Sequence, residues 1–114
     1  MATNGTVVLI TNYGMGHAPE DLRLTLIGKY LELLLQHDDV PAAICFYTEG
    51  VKLTVEGAPV LAHLEALSNK GVRMIICSTC LNYYHLSDKV RVGIVGGMGD
   101  ILEAQMKAEK IVTL

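Results

Sequence analysis

Four short apolar runs, Thr6 to Thr11, Val40 to Tyr47, Val72 to Ile76 and Val90 to Val95, constrain this chain most. Each is rich in β-branched or large aliphatic residues, and the first, Thr-Val-Val-Leu-Ile-Thr, is continuous rather than alternating. A strand with one wet face reads apolar-polar-apolar, so continuous runs of this length mark strands covered on both faces. Helical patterns separate them. Leu22 to Leu35 is Leu-rich behind Pro19-Glu20-Asp21, a proline and two acids suited to a first helical turn. Pro59 opens a second helix in which Val60, Leu61, Leu64 and Leu67 recur at helical spacing, with Asn69-Lys70-Gly71 as its stop. A third is expected from about Thr79 to Leu86. The last ends near Lys107, with Asp100 and Glu103 expected to form a capping box at its start. Ile111 to Leu114 reads as a short closing strand, and Glu49 to Gly57 as an irregular passage with a short helical turn.

Strands alternating with helices require right-handed crossovers. The expected fold is therefore a three-layer α/β/α sandwich around a parallel sheet of four or five strands. A length of 114 residues suits one domain spanning 1–114, with no linker, repeat or low-complexity tract to divide it. The hydrophobic fraction of 51% is high for so small a chain. Leu22 to Leu35 carries apolar residues around much of its circumference. Both features point to self-association.

Charge excludes several partners. Nine Lys and Arg against twelve Asp and Glu give a net charge of -3, without the basic stripe of a nucleic-acid binder. The longest apolar stretch is broken by Arg23, Lys29 and Glu32, so it is a poor membrane span. The start, Met-Ala-Thr-Asn-Gly, lacks the basic and apolar parts of a signal peptide, and a cytoplasmic location is expected. Three cysteines, two of them in a C-x-x-C pair, fit a reducing compartment better than a disulfide framework.

Ligands of such sheets bind beyond the carboxyl ends of the strands. Asn12, Gly14, Gly16 and His17 follow the first strand, and Tyr47 and Glu49 the second. Cys77 and Cys80 follow the third, and Gly97 and Met98 the fourth. These residues are the expected catalytic pair, Cys77 and Cys80, and the pocket around it. Cys77 ends an apolar strand and Cys80 lies in the next helical turn, where free amides and the helix dipole are expected to favour a thiolate. The competing reading makes Cys77 a small hydrophobe and Cys80 an inward-packing residue. Cys45, in mid-strand, is expected to be core.

Zinc is not expected, because there is no second C-x-x-C and His17, His37, His63 and His85 are scattered. No cofactor is expected either. The third glycine of a dinucleotide fingerprint would fall at Pro19, so the glycines of 14–16 are turn formers first. His17 is a candidate base or anion contact. Tyr83 and Tyr84 are adjacent on a helix and cannot share a face, so one is expected to be buried and the other to face solvent or a neighbouring subunit. A dithiol poised for disulfide exchange is the chemical rival to nucleophilic use of one cysteine.

Cys77-Ser78-Thr79-Cys80-Leu81-Asn82-Tyr83-Tyr84, with Phe46-Tyr47-Thr48-Glu49-Gly50-Val51-Lys52, resembles the DsrE-like domain of YedF-type proteins, and the resemblance covers nearly the whole chain. It implies a sulfur-relay or sulfurtransferase-like role, with sulfur carried as a persulfide on Cys77 and Cys80 assisting. It also implies a homo-oligomer, trimer or hexamer. YedF-type proteins often carry a TusA-like domain before this one, and nothing like it is read in this sequence, so the resemblance implies either a separate TusA-like sulfur carrier as partner or loss of the relay. Two positions depart from the family pattern: Ser78 and His85 stand where relatives often have glycine. The alternatives are a thiol-disulfide redox protein and a non-catalytic small-molecule-binding or assembly subunit.

Overall fold

The computed structural model describes residues 4–114; the Met1-Ala2-Thr3 start, read above for a leader, lies outside them. Five strands form one parallel sheet: β1 (Thr6–Ile10), β2 (Ala43–Phe46), β3 (Arg73–Cys77), β4 (Ile94–Gly96) and β5 (Lys110–Thr113), in the order β4-β3-β2-β1-β5. Between them run α1 (Glu20–Leu35), a 3-10 helix (Thr48–Thr54), α2 (Leu61–Asn69), α3 (Ser78–Tyr83) and α4 (Met98–Lys107). The register aligns Leu9 with Cys45, Cys45 with Ile75, and Cys77 with Gly96.

Alternate strand residues meet different layers. Val8 and Val112 face Tyr30 and Leu34 of α1, whereas Val7 and Ala43 face Ala104 of α4. The sheet is therefore covered on both sides. Successive steps from β1 to β3 move in one direction with right-handed crossovers, placing α1 and α2 together. The return from β4 to β5 places α4 opposite. The central strands are buried almost throughout, as their unbroken apolar runs require: Ile10, Ile44, Cys45, Phe46 and Ile76 are sealed from solvent. Cys45 is core, as expected.

Three expectations need correction. The fourth strand is Ile94–Gly96 rather than 90–95, because Val90 pairs antiparallel with Val55 and Gly93 turns the chain before the sheet is joined. The third helix begins at Ser78 and ends at Tyr83. It stops early because His85 takes a left-handed conformation (φ 58°), with Leu86 N–H donating to the Leu81 carbonyl and His85 N–H to that of Asn82. This closure usually uses glycine. The fourth helix is capped by Gly97, whose N–H donates to the Asp100 carboxylate at 2.9 Å, so Asp100 is the acid that reaches back and not the cap itself.

Leu22, Leu26 and Leu33 of α1 are exposed along one stripe, as are Met98, Leu102 and Met106 of α4. Among the described residues no helix is long and apolar enough to cross a membrane.

Candidate functional site

The loop after β1 is held by side chains that the sequence reading passed over. Arg23 donates from Nη1 to the Tyr13 carbonyl (2.8 Å) and to Asn12 Oδ1 (3.2 Å), and from Nε to the Ala18 carbonyl (2.9 Å). Asn12 Nδ2 donates to the Gly16 carbonyl at 2.9 Å. Gly14 adopts φ 120° against Arg23, whose Cβ would stand 2.5 Å from any Cβ at position 14. Asn12, Gly14 and Gly16 thus build the loop. His17 is exposed at its outer surface.

The 3-10 helix after β2 is pressed onto the end of β1. A Cβ at Gly50 would lie 2.1 Å from the Ile10 carbonyl oxygen, so only glycine fits there. Thr48 pivots this approach with φ 49°, a conformation that costs a β-branched residue about 1–3 kcal/mol. Its hydroxyl donates to the Thr11 carbonyl at 2.5 Å. Its backbone N–H donates to Cys80 Sγ at 3.0 Å. A strained residue therefore hands its amide to a cysteine sulfur, an arrangement concentrated at functional sites.

Cys77 caps α3 and is 1% exposed. Cys80, one turn on, is half-buried and neighbours the Cys77 thiol closely enough for each to feel the other's charge. The expected thiolate is not favoured at Cys80. Burial pushes its thiol above the ordinary range, the Thr48 amide opposes that shift, and the neighbouring Cys77 adds to it. The desolvation of a charge outweighs one amide donor.

Tyr84 lies on the same face of α3 as Cys80, one turn further. Lys52 Nζ stands 4.4 Å over its ring and 2.8 Å from Glu49 Oε1, and this ion pair holds the Glu49 carboxyl below its usual range. Tyr83, edge-on to Tyr84, is exposed, as one member of the pair must be. Tyr13, Lys52, Val55, Glu56, Tyr84 and Leu86 line an open cleft of about 370 Å³.

The structure thus brings Cys77, Cys80, Tyr47 and Glu49 to one end of the sheet, with Thr48 between them. Gly97 and Met98 end β4 on that same edge but belong to the cap of α4, where Met98 is exposed. Thr48, Lys52 and Tyr13 were missed as site residues. Thr48 and Lys52 stand in the quoted Phe46–Lys52 motif, which was their one available signal. Among the described residues no three His, Cys, Asp or Glu side chains gather to hold a metal. Ser78 occupies an ordinary first helical position, so its departure from glycine leaves the turn intact.

A model of the DsrE/DsrF-like family matches residues 7–114. The match is to the family as a whole and does not single out a YedF-type branch. Among solved structures, the YchN protein from E. coli superposes over 100% of both chains with a TM-score of 0.73 at 17% identity. A protein of unknown function, MTH1491 from Methanobacterium thermoautotrophicum, covers 96% of this chain and 97% of its own (TM-score 0.68, 21% identity). A conserved protein of unknown function, BT1422 from Bacteroides thetaiotaomicron, covers 96% and 95% (TM-score 0.62, 14% identity). At these identities the likeness establishes the fold. Comparison with curated proteins gives no match.

Proposed function

Since the chain belongs to the DsrE/DsrF-like family, we propose that it is a sulfur carrier holding sulfur as a persulfide on Cys77, with Cys80 the thiol that loads and discharges it. The observation carrying this reading is a pair of neighbouring thiols at the carboxyl edge, one buried and one reachable, the reachable one accepting the Thr48 amide. A persulfide is itself a nucleophile and is consumed by passing thiols, so a buried resting place prolongs its life. Transfer between the two is redox-neutral: Cys80–S–SH and Cys77–SH exchange the outer sulfur to give Cys80–SH and Cys77–S–SH. With no acceptor present, Cys80 can instead attack the inner sulfur of Cys77–S–SH. That step forms the Cys77–Cys80 disulfide and releases hydrogen sulfide. The Thr48 amide supports both steps by donating to the Cys80 sulfur, where negative charge gathers.

In this reading the acceptor is a separate carrier of the TusA-like kind, and the exposed leucines of α1 and the apolar stripe of α4 support assembly into a homo-oligomer, trimer or hexamer. Light scattering of a micromolar solution tests the assembly: a multiple of the 12.4 kDa chain mass is expected, and a monomer mass contradicts it. Intact-mass measurement after incubation with a persulfide donor tests the chemistry. Wild-type protein gains one sulfur, Cys77→Ser gains none that survives a challenge with excess small thiol, and Cys80→Ser loads and discharges slowly. A durable adduct on Cys77→Ser alone reverses the roles. If neither substitution matters, the relay reading fails. A protein that loses two hydrogens on oxidation without passing through a sulfur adduct and without releasing hydrogen sulfide, in Cys80→Ser as little as in wild type, is the thiol-disulfide alternative.

A further inference from the structure

The open cleft lined by Lys52 and Tyr84, one turn along from the contact between Thr48 and Cys80, has a chemical character of its own. Its lining includes the ammonium of Lys52, over the Tyr84 ring, and the carboxylate of Glu56. Each charge is already paired, Lys52 with Glu49 at 2.8 Å and Glu56 with Arg91 at 3.3 Å, but these side chains are 33–59% exposed. Pairs this exposed contribute about 0–1 kcal/mol, so a ligand can displace either partner without large loss. The volume of about 370 Å³ falls in the small-molecule range of roughly 300–1,000 Å³. Tyr84 to Cys80 is one helical turn, about 6 Å along the axis. That is the reach of a Cα–Cβ–S–S chain whose α-amino and α-carboxyl groups sit in the cleft.

We propose that this cleft takes a zwitterionic low-molecular-weight thiol, in its persulfide form, as the sulfur donor, its carboxylate on Lys52 and its ammonium on Glu56. The inference rests on the sulfur-carrier reading and supplies its substrate class. Cys80 attacks the outer sulfur of R–S–SH. The S–S bond of the donor breaks as the new one forms, the electron pair leaves with R–S⁻, and the Cys80 proton is passed to that leaving thiolate through solvent. The sum is R–S–SH plus Cys80–SH to R–SH plus Cys80–S–SH, with no oxidant consumed.

The test compares two donors by intact mass against time: cysteine hydropersulfide, which carries both charges, and inorganic polysulfide, which carries no ammonium or carboxylate. Loading by cysteine hydropersulfide is expected to saturate. Lys52→Gln and Glu56→Gln should each raise its half-saturating concentration about ten-fold, the loss of one charge-assisted contact, a larger change than either causes in loading by polysulfide. Linear loading by both donors, unaffected by either substitution, overturns the cleft assignment while the carrier reading stands. If neither donor loads any cysteine, the carrier reading fails, and the cleft is then judged by binding alone. S-methylcysteine, which has no sulfur to transfer, should shift the Tyr13 and Tyr84 ring resonances of wild-type protein saturably, but not those of Lys52→Gln. Unmoved rings overturn the proposal.

Discussion

Two stretches of the sheet's carboxyl edge begin alike and end differently. After β2 and β3 the chain enters the 3-10 helix and α3; after β4 it enters α4. Both exits follow an apolar strand, and the glycines at 96, 97 and 99 give the β4 exit the more ligand-like sequence. Yet the β2–β3 half gathers Thr48, Lys52, Cys80 and Tyr84 into hydrogen bonds and a cation–ring contact, while the β4 half uses Asp100 to cap its own helix and leaves Met98 and Leu102 bare. The difference is a second element. The 3-10 helix leans across α3, so the side chains and amides of two segments converge, whereas among the described residues α4 meets no comparable segment on its outer side. A place on the rim makes a residue available for chemistry, and only packing between rim elements makes a site.

Substitution at two glycines breaks the comparison most sharply. Gly50→Ala drives a methyl into the Ile10 carbonyl and should cost about 3 kcal/mol or more, the upper end of overpacking, because the obstacle is backbone. Gly97→Ala meets no atom nearer than 4.0 Å and sits at φ -100°, so only the loss of a favourable cap residue, about 1 kcal/mol, is expected. Urea denaturation midpoints measure both. Equal losses would mean that the 3-10 helix does not depend on its contact with β1.

Alkali should also separate the halves. The β2–β3 half carries ionisable sulfur into the sheet: burial raises the Cys45 thiol from 9.0 to about 11, with the Arg73 charge opposing, and raises Cys80 in the same direction. A raised thiol pKa means that the folded state holds its proton longer than the unfolded chain. That contribution is therefore complete below about pH 9 and is lost as pH climbs toward 11. For Cys45 the loss is about 2–3 kcal/mol. Unfolding free energy measured from pH 8 to 11 should fall less steeply in Cys45→Ala than in wild type. Parallel slopes would show that burial of Cys45 does not govern its titration.

The architecture was legible because continuous apolar runs and helical spacing are local signals of burial. Thr6 to Thr11 could scarcely be anything but an inner strand. The displaced β4 was not legible, since the pairing of Val90 with Val55 joins residues 35 positions apart and no local pattern announces it. At the site, Cys77 and Cys80 stood out through residue type and spacing. Thr48 did not, because threonine rarely adopts a positive φ and its contribution is a backbone amide, which every residue but proline carries. The direction of the Cys80 shift was missed for a related reason: sequence reveals a helix start but not how far burial offsets it.

His85 offers a small adjustment of the opposite sign. It holds the left-handed closing position of α3 at φ 58°, so His85→Gly should stabilise the protein by about 0.5–1 kcal/mol, the conformational relief less the added freedom of the unfolded chain. Thermal denaturation at fixed pH reads it. A destabilised variant would mean that the imidazole makes a contact worth more than the strain.

The central claim is that sulfur rests on the buried member of the pair. Wild-type protein loaded with a persulfide donor, trapped by alkylation after denaturation and fragmented between Cys77 and Cys80, reads that claim directly. The account predicts the extra sulfur on fragments that contain Cys77 and lack Cys80. Finding it only on fragments that contain Cys80 would contradict it.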